Sequence, residues 1–341
     1  MIGLLLVAGA AAPIAGSPAR AQGLPSLPEG VTPEMVRAID QGLEYLRRTQ
    51  SADGSWSASD RSGQYPVAMT SLALFALLAE GSTPSQGRYA QSIEKGVRYL
   101  LKCQRPNGFI TTGGESRGNY GHGYAMLALA QAYGSEDDLE LRTQIHRTLG
   151  KAVELAARSQ SDKGGWNYMP EQRNDEGSVT ITLVQGLRAC RNAGIKVPKK
   201  TIDNAVGYIR NSQCADGGVA YRVGQGGSRP ALAAAGLNVL YNSGIYQGEM
   251  VEKMLKYVKA RVPATLTGGH AYYQALYAAQ GLYLAGDEHW IPYFDKLRPE
   301  LLRHQKGDGS WQGDHVGTTY GTAIACVILQ LPYKNLPICN R

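Results

Sequence analysis

Gly42–Trp56 reads GLEYLRRTQSADGSW. Its first eight residues have the apolar spacing of an amphipathic helix, its middle an Asp-Gly turn, and its end a tryptophan. Aligning every glutamine that precedes a glycine-rich turn shows the phrase repeating at Gln50, Gln104, Gln160, Gln213 and Gln305. Four residues after each stands a glycine: Gly54, Gly108, Gly164, Gly217 and Gly309. Six after stand Trp56, Ile110, Trp166, Val219 and Trp311, all apolar. Four before stand Leu46, Leu100, Ala156, Ile209 and Leu301, and eight before stand the mostly small Gly42, Gly96, Ala152, Ala205 and Leu297. Positions four apart share a helix face, so this stripe packs inward and closely. The glycine marks where the chain leaves the helix at positive φ.

The copies lie 53 to 56 residues apart, except for one gap of 92 that accommodates two units. A degenerate copy, MLKYVKARV, fits that gap, with Val262 in place of the glutamine. Each unit carries a second helix after the turn, such as VAMTSLALFALLAEG or AYYQALYAAQGLYLAG, apolar nearly all round and therefore buried on both sides. The first helices carry charge on one face and lie outside. Six hairpins of this kind predict two concentric rings of helices, because an open solenoid would need polar caps at its ends and neither end unit looks like one.

The phrase resembles the QW motif of the prenyltransferase and squalene-cyclase repeat: small, two residues, aromatic, aliphatic, three residues, Gln, three residues, Gly, one residue, Trp. Gly42, Tyr45, Leu46, Gln50, Gly54 and Trp56 fit it throughout, and Gly96, Tyr99, Leu100, Gln104 and Gly108 nearly so. The resemblance spans residues 33–331 and implies an all-α class, a single six-hairpin α/α toroid. The close of the chain, YGTAIACVILQLPYKNLPI, is similar to that of small exported members of this superfamily from planctomycete bacteria.

Composition sets the remaining bounds. The 341 residues are 43% hydrophobic and 18% charged, ordinary for a folded chain. Residues 1–21 read as a secretory signal, an apolar run ending in Ala19-Arg20-Ala21 with cleavage before Gln22, followed by a linker over 22–32 and, after the toroid, a tail over 332–341. Export to the periplasm or cell envelope is expected, with no membrane span once the signal is removed. The net charge of +7 is scattered rather than clustered, which disfavours nucleic acid as a partner. Five cysteines at wide spacing make neither a disulfide framework nor a zinc ribbon, and Cys190 and Cys326 sit in apolar helical text.

In the implied toroid, the turn after each glutamine delivers the chain to the start of an inner helix. Those starts ring one mouth of the central cavity, with partial positive charge at each. The polar residues found there are the candidate site. Tyr120, His122, Tyr124, Glu176, Arg229, His270, Tyr273, His315 and Tyr320 are candidate ligand contacts, and Asp175 and Asp314 candidate acids. Asp, Ser and Thr at helix starts are also ordinary N-caps, so Asp175, Ser178 and Thr319 have a purely structural reading as well.

The family's known chemistries are incompletely represented. Its terpene cyclases protonate an alkene with an Asp-x-Asp-Asp cluster; the matching zone here, NDEGSVT, retains only Asp175-Glu176. Its protein prenyltransferases hold zinc with Asp, Cys and His, but Gly269, Ala271 and Gly317 stand at the matching places, leaving His270, Asp314 and His315 as a conceivable substitute set. The thioester pentapeptide of complement-type members has no counterpart. With 20 Tyr and only 3 Phe, the cavity aromatics suit a ligand of mixed polarity. The expected function is therefore binding of a lipid, isoprenoid or peptide with an anionic end in the central cavity, without metal or cofactor. The alternatives are an active cyclase-type enzyme using Asp175 or Asp314 as acid, and a structural or interaction scaffold acting through its outer surface.

Overall fold

A computed structural model describes residues 27–60 and 63–339. The expected signal segment, and the linker as far as residue 26, lie outside the described residues. Twelve α-helices run from Pro33 to Gln330 and alternate between two layers. The outer ones are α1 (Pro33–Thr49), α3 (Ala90–Lys102), α5 (Leu139–Ser159), α7 (Lys199–Ser212), α9 (Glu249–Arg261) and α11 (Asp287–His304). Each buries one stripe only: in α1, Met35, Ala38, Ile39, Gly42, Leu43 and Leu46. The inner ones are α2 (Pro66–Ala79), α4 (Gly118–Tyr133), α6 (Gly177–Asn192), α8 (Pro230–Asn242), α10 (Ala271–Ala285) and α12 (Thr318–Gln330), buried on nearly every face.

Successive inner helices pack side by side from α2 to α12, and α12 returns to pack on α2, so the inner layer is a closed ring. The all-α toroid expected from the repeats is the fold. Two short antiparallel hairpins add to it, β1 (Ser59–Asp60) with β2 (Gly63–Gln64) and β3 (Ala220–Arg222) with β4 (Gln225–Ser228).

The repeated phrase holds the outer ring together. The amide Nε2 of Gln50 donates to the carbonyl of Ser92 in the next outer helix, 2.9 Å away. Gln104 reaches Thr148, Gln160 reaches Thr201 and Gln213 reaches Met250, at 2.8 to 3.0 Å. Gln305 of the last outer helix reaches Ala38 of the first, at 2.9 Å. The same amide also donates to the carbonyl of the glycine four residues on, tying the turn back onto its own helix.

Those glycines are needed twice over. All five have φ between +89 and +92, and a Cβ on any of them would come within 2.1 to 2.5 Å of a carbonyl oxygen of the next outer helix. The indoles of Trp56, Trp166 and Trp311 donate back to Leu46, Ala156 and Leu301, closing the carbonyl ends of α1, α5 and α11. The backbone N–H of each of these tryptophans donates to an inner-helix threonine: Thr70, Thr180 or Thr322. The unit with Val262 has no glutamine to make the bridge; α9 simply ends there.

After α12 the chain makes two 3-10 turns, Leu331–Tyr333 and Pro337–Cys339, across the carbonyl-end mouth of the inner ring. Asn335 bonds the carbonyl of Ala79 in α2 and accepts from Gln131 in α4, and the second turn packs on α6 and α10. Leu331, Leu336, Ile338 and Cys339 are buried by this crossing. All five cysteines are free thiols.

Candidate functional site

The other mouth, where the inner helices begin, holds a cavity of about 1100 Å³. Its walls come from the first turns of α4, α6, α8 and α10, from the loops leading into them, and from His315. Among the candidate residues, Tyr120, Arg229, His270, Tyr273 and His315 meet there. So do Arg117, Tyr168, Ser178, Tyr221 and Leu232, of which only Ser178 was singled out by sequence reasoning, and then as a cap. Sequence signals for the others exist. Tyr168 and Tyr221 stand at equivalent places, eight residues after Gln160 and Gln213, and Arg117 precedes α4 as Arg229 precedes α8.

The cavity goes only one turn deep. The helical residues lining it are Tyr120 in α4, Ser178 in α6, Pro230–Leu232 in α8 and Ala271, Tyr273 and Gln274 in α10, all within the first four positions of their helices. Below them the lumen is filled by side chains. Tyr124 of α4 and Tyr277 of α10 meet OH to OH at 3.0 Å, and Gln185 of α6 donates to Gln280 of α10 at 2.7 Å. Tyr124, expected as a ligand contact, belongs to this filling; Tyr320, in the first turn of α12 and partly buried, is likewise not among the cavity-lining residues. The central cavity expected from the toroid is a broad, shallow mouth, because phenols and amides long enough to meet inside the ring fill the lumen below it.

A connected set of hydroxyls builds the wall. Glu176 is fully buried at the N-cap of α6, where its carboxylate accepts from the N–H groups of Ser178 and Val179 and from the Ser178 hydroxyl at 2.6 Å. Ser178 Oγ shares a very short hydrogen bond with the Tyr120 phenol. Tyr273 donates to the Ser178 carbonyl at 3.1 Å, and Tyr221 hydrogen-bonds both Glu176 and Tyr168, the latter at 2.5 Å. Four lining phenols are thus anchored to one short segment, Glu176-Gly177-Ser178. Burial pushes the Glu176 carboxyl up, against the pull of those donors. Glu176 stands behind the wall rather than in it.

The candidate acids are structural at first contact. Asp314 lies at φ +44 and accepts from the N–H groups of Ala271 and Tyr272 at 3.0 and 3.4 Å, capping α10 from a neighbouring turn. Burial raises its carboxyl, while those N–H groups and the nearby His270 and His315 oppose the rise. Asp175 is buried, accepts from the Ser161 hydroxyl at 3.3 Å and does not line the cavity. His270 and His315 stand edge to face, 5.8 Å between ring centres. Among the described residues, no group of three or more His, Cys, Asp or Glu has the closeness to hold a metal ion.

His122 is the clearest displacement. It is fully buried, its Nδ1 accepting from the N–H of Ile110 at 3.2 Å and its Nε2 facing the Ala152 carbonyl. That is the place Thr70, Thr180 and Thr322 hold in other units, so His122 joins a turn to its inner helix, away from the cavity. Burial drives its pKa down to about 4.

The charge at the mouth runs against helix chemistry. Arg117, Arg229 and His270 occupy the N-cap positions of α4, α8 and α10, and none makes a side-chain capping bond. N-caps favour Ser, Thr, Asp and Asn, and helix N-termini carry positive partial charge that repels cations. Arg117 and Arg229, both facing one cavity, form an electropositive collar on its tyrosine-lined walls, whereas the start of α10 beside His270 is already capped by Asp314.

No protein-family model matches the chain. Drimenyl diphosphate synthase of Streptomyces showdoensis is 27% identical over 197 residues, which are 57% of this chain and 34% of that protein; the match therefore spans about a third of its length. Among solved structures, the type II terpene cyclase MstE from Scytonema superposes with a TM-score of 0.61 at 15% identity, covering 89% of this chain and 98% of the other. A protein from Actinoplanes gives 0.62 at 15% identity, covering 88% and 99%. The GH76A α-1,6-mannanase from Salegentibacter sp. HEL1_6 gives 0.63 at 9% identity, again covering 88% and 99%. One architecture thus carries both isoprenoid and glycan enzymes, and this chain shares the helical toroid with both.

Proposed function

We propose that this chain is a terpene-cyclase-like toroid that binds an amphipathic molecule with an anionic head at the mouth of its inner ring. The observation carrying this reading is the collar of Arg117 and Arg229 at two helix N-caps, a placement that costs local stability and is relieved by a bound anion. The tyrosines and Leu232 supply the partly apolar surface for the rest of the ligand. A carbocation cascade needs a chamber closed to water, and the shallow mouth favours binding over cyclisation. Titration calorimetry with dodecyl phosphate tests the reading: saturable binding lost in Arg117→Gln/Arg229→Gln supports it, and equal binding by dodecanol and by the double variant refutes it.

A second reading, an active cyclase-type enzyme, is favoured by Asp314 alone, whose carboxyl is raised by burial beside His270 and His315. The similarity of 197 residues to a diphosphate synthase supports trying prenyl diphosphates as substrates. Turnover abolished by Asp314→Asn would establish it, and no product from any prenyl diphosphate would remove it. Export remains part of the proposal, tested by whether the mature protein begins at Gln22.

A further inference from the structure

We infer that the Tyr124–Tyr277 pair is a stop that sets how deep a ligand tail can enter the inner ring. This rests on the reading of the mouth as the site for an anionic-headed amphiphile and adds the residues that decide tail length.

The ring runs α2, α4, α6, α8, α10, α12 and back to α2, so α4 and α10 stand opposite one another. The hydrogen bond between their phenols, 3.0 Å long, spans the full diameter of the lumen. Tyr273, which lines the cavity, rests edge to face on Tyr277 with ring centres 4.6 Å apart, so the fully buried Tyr277 is the layer directly beneath the cavity lining and backs it. One helical turn further down, Gln185 and Gln280 bridge α6 and α10 across the inner face of α8 and narrow the lumen again. Beyond them the Leu331–Cys339 segment covers the far mouth. A straight tail therefore has no path down through the ring.

The stop is mechanical and also electrostatically quiet. Burial holds the Tyr124 phenol neutral, its pKa pushed up to about 12, and raises that of Tyr277 well above the ordinary value. Each phenol satisfies the other's hydroxyl, so neither needs water, and an apolar tail end can abut the pair. Removing one ring should therefore lengthen the pocket rather than flood it, since apolar cavities in protein interiors stay dry and accept apolar ligands.

The test is calorimetry with n-alkyl phosphates of increasing length on the full chain. Each buried methylene should raise affinity about fourfold until the tail reaches the stop, after which the gain ceases. Tyr277→Ala should move that limit outward by about four methylenes, the space of one phenol in a close-packed interior. Tyr277→Leu and Tyr124→Leu, which keep more of the core and guard against misfolding, should move it by about one. Tyr277→Phe keeps the ring and should leave it unmoved. A limit unchanged in every folded Ala or Leu variant, while the wild-type protein binds the series, overturns the stop and leaves the anion site standing. A wild-type protein that binds no member overturns the anion site, and the stop with it.

Discussion

Gln305 closes the ring, and its removal measures that closure. Its Nε2 donates to the Ala38 carbonyl at 2.9 Å and to the Gly309 carbonyl at 3.0 Å. Each hydrogen bond contributes about 1 kcal/mol net, and leaving partly buried carbonyls unsatisfied adds to the loss, so Gln305→Ala should cost about 2–3 kcal/mol. For a domain of this size that lowers the melting temperature by roughly 3–5 °C. Gln104→Ala, which breaks the same kind of bridge between α3 and α5, supplies the internal reference. In a closed ring the first–last seam is one interface among equals, and the two variants should melt within about 2 °C of each other. The seam has a second probe in Gly309→Ala, which puts a Cβ at φ +89 and about 2.5 Å from the Gln41 carbonyl. Because both changes part the same seam, the double variant should lose less than the sum of the single losses. If Gln305→Ala costs under about 0.5 kcal/mol while Gln104→Ala costs its full share, the ends are not clasped in solution and the ring argument fails.

Three further outcomes follow from individual residues. Arg117→Gln and Arg229→Gln should each weaken dodecyl phosphate binding roughly 10- to 100-fold, the worth of one charge-assisted contact, with melting of the free protein unchanged or slightly raised as a cation leaves a helix N-cap; a loss under about threefold for both removes the collar as an anion site. His122 has a folded pKa of about 4 against an ordinary 6.5, so its contribution to stability is complete above about pH 6.5 and drains away as the pH falls toward 4, to a limit of roughly 3 kcal/mol. His122→Thr restores the residue type of the equivalent positions, and urea midpoints at pH 7 and pH 4.5 should then differ less than in the wild type; an equal difference refutes the assignment. Leu336→Ala and Ile338→Ala, at buried positions over the far mouth, should each cost about 2–4 kcal/mol by denaturant melting, and near-neutral changes would show that the tail does not seal that end.

What the sequence made legible follows from how locally each feature is determined. Gly54 and its four counterparts could be read because two demands fall on the same atom, positive φ and contact with a neighbouring carbonyl, and only glycine meets both. Gln50 was readable as part of an exit turn, but not as a bridge, since its second acceptor is 42 residues away on another helix. The candidate site was legible in place and only partly in membership. Acids at helix starts have two uses that look alike in one dimension, and here Glu176 and Asp314 both serve as caps.

Depth was invisible for a different reason. Helical register says that Tyr124 faces the axis, but whether it lines a chamber or fills it depends on the reach of a side chain on the opposite wall, 153 residues later. The collar was hidden by residue type: Arg117 looks like a solvated loop cation until α4 is seen to begin on it. Both failures share a cause. A toroid converts sequence distance into spatial opposition, so whatever the copies have in common can be read by alignment, whereas the mouth is assembled from the positions at which they differ. Function in such a ring is therefore sought where a unit departs from what helix starts favour, and here the two units that begin at Arg117 and Arg229 depart from it together, each putting a cation at an N-cap.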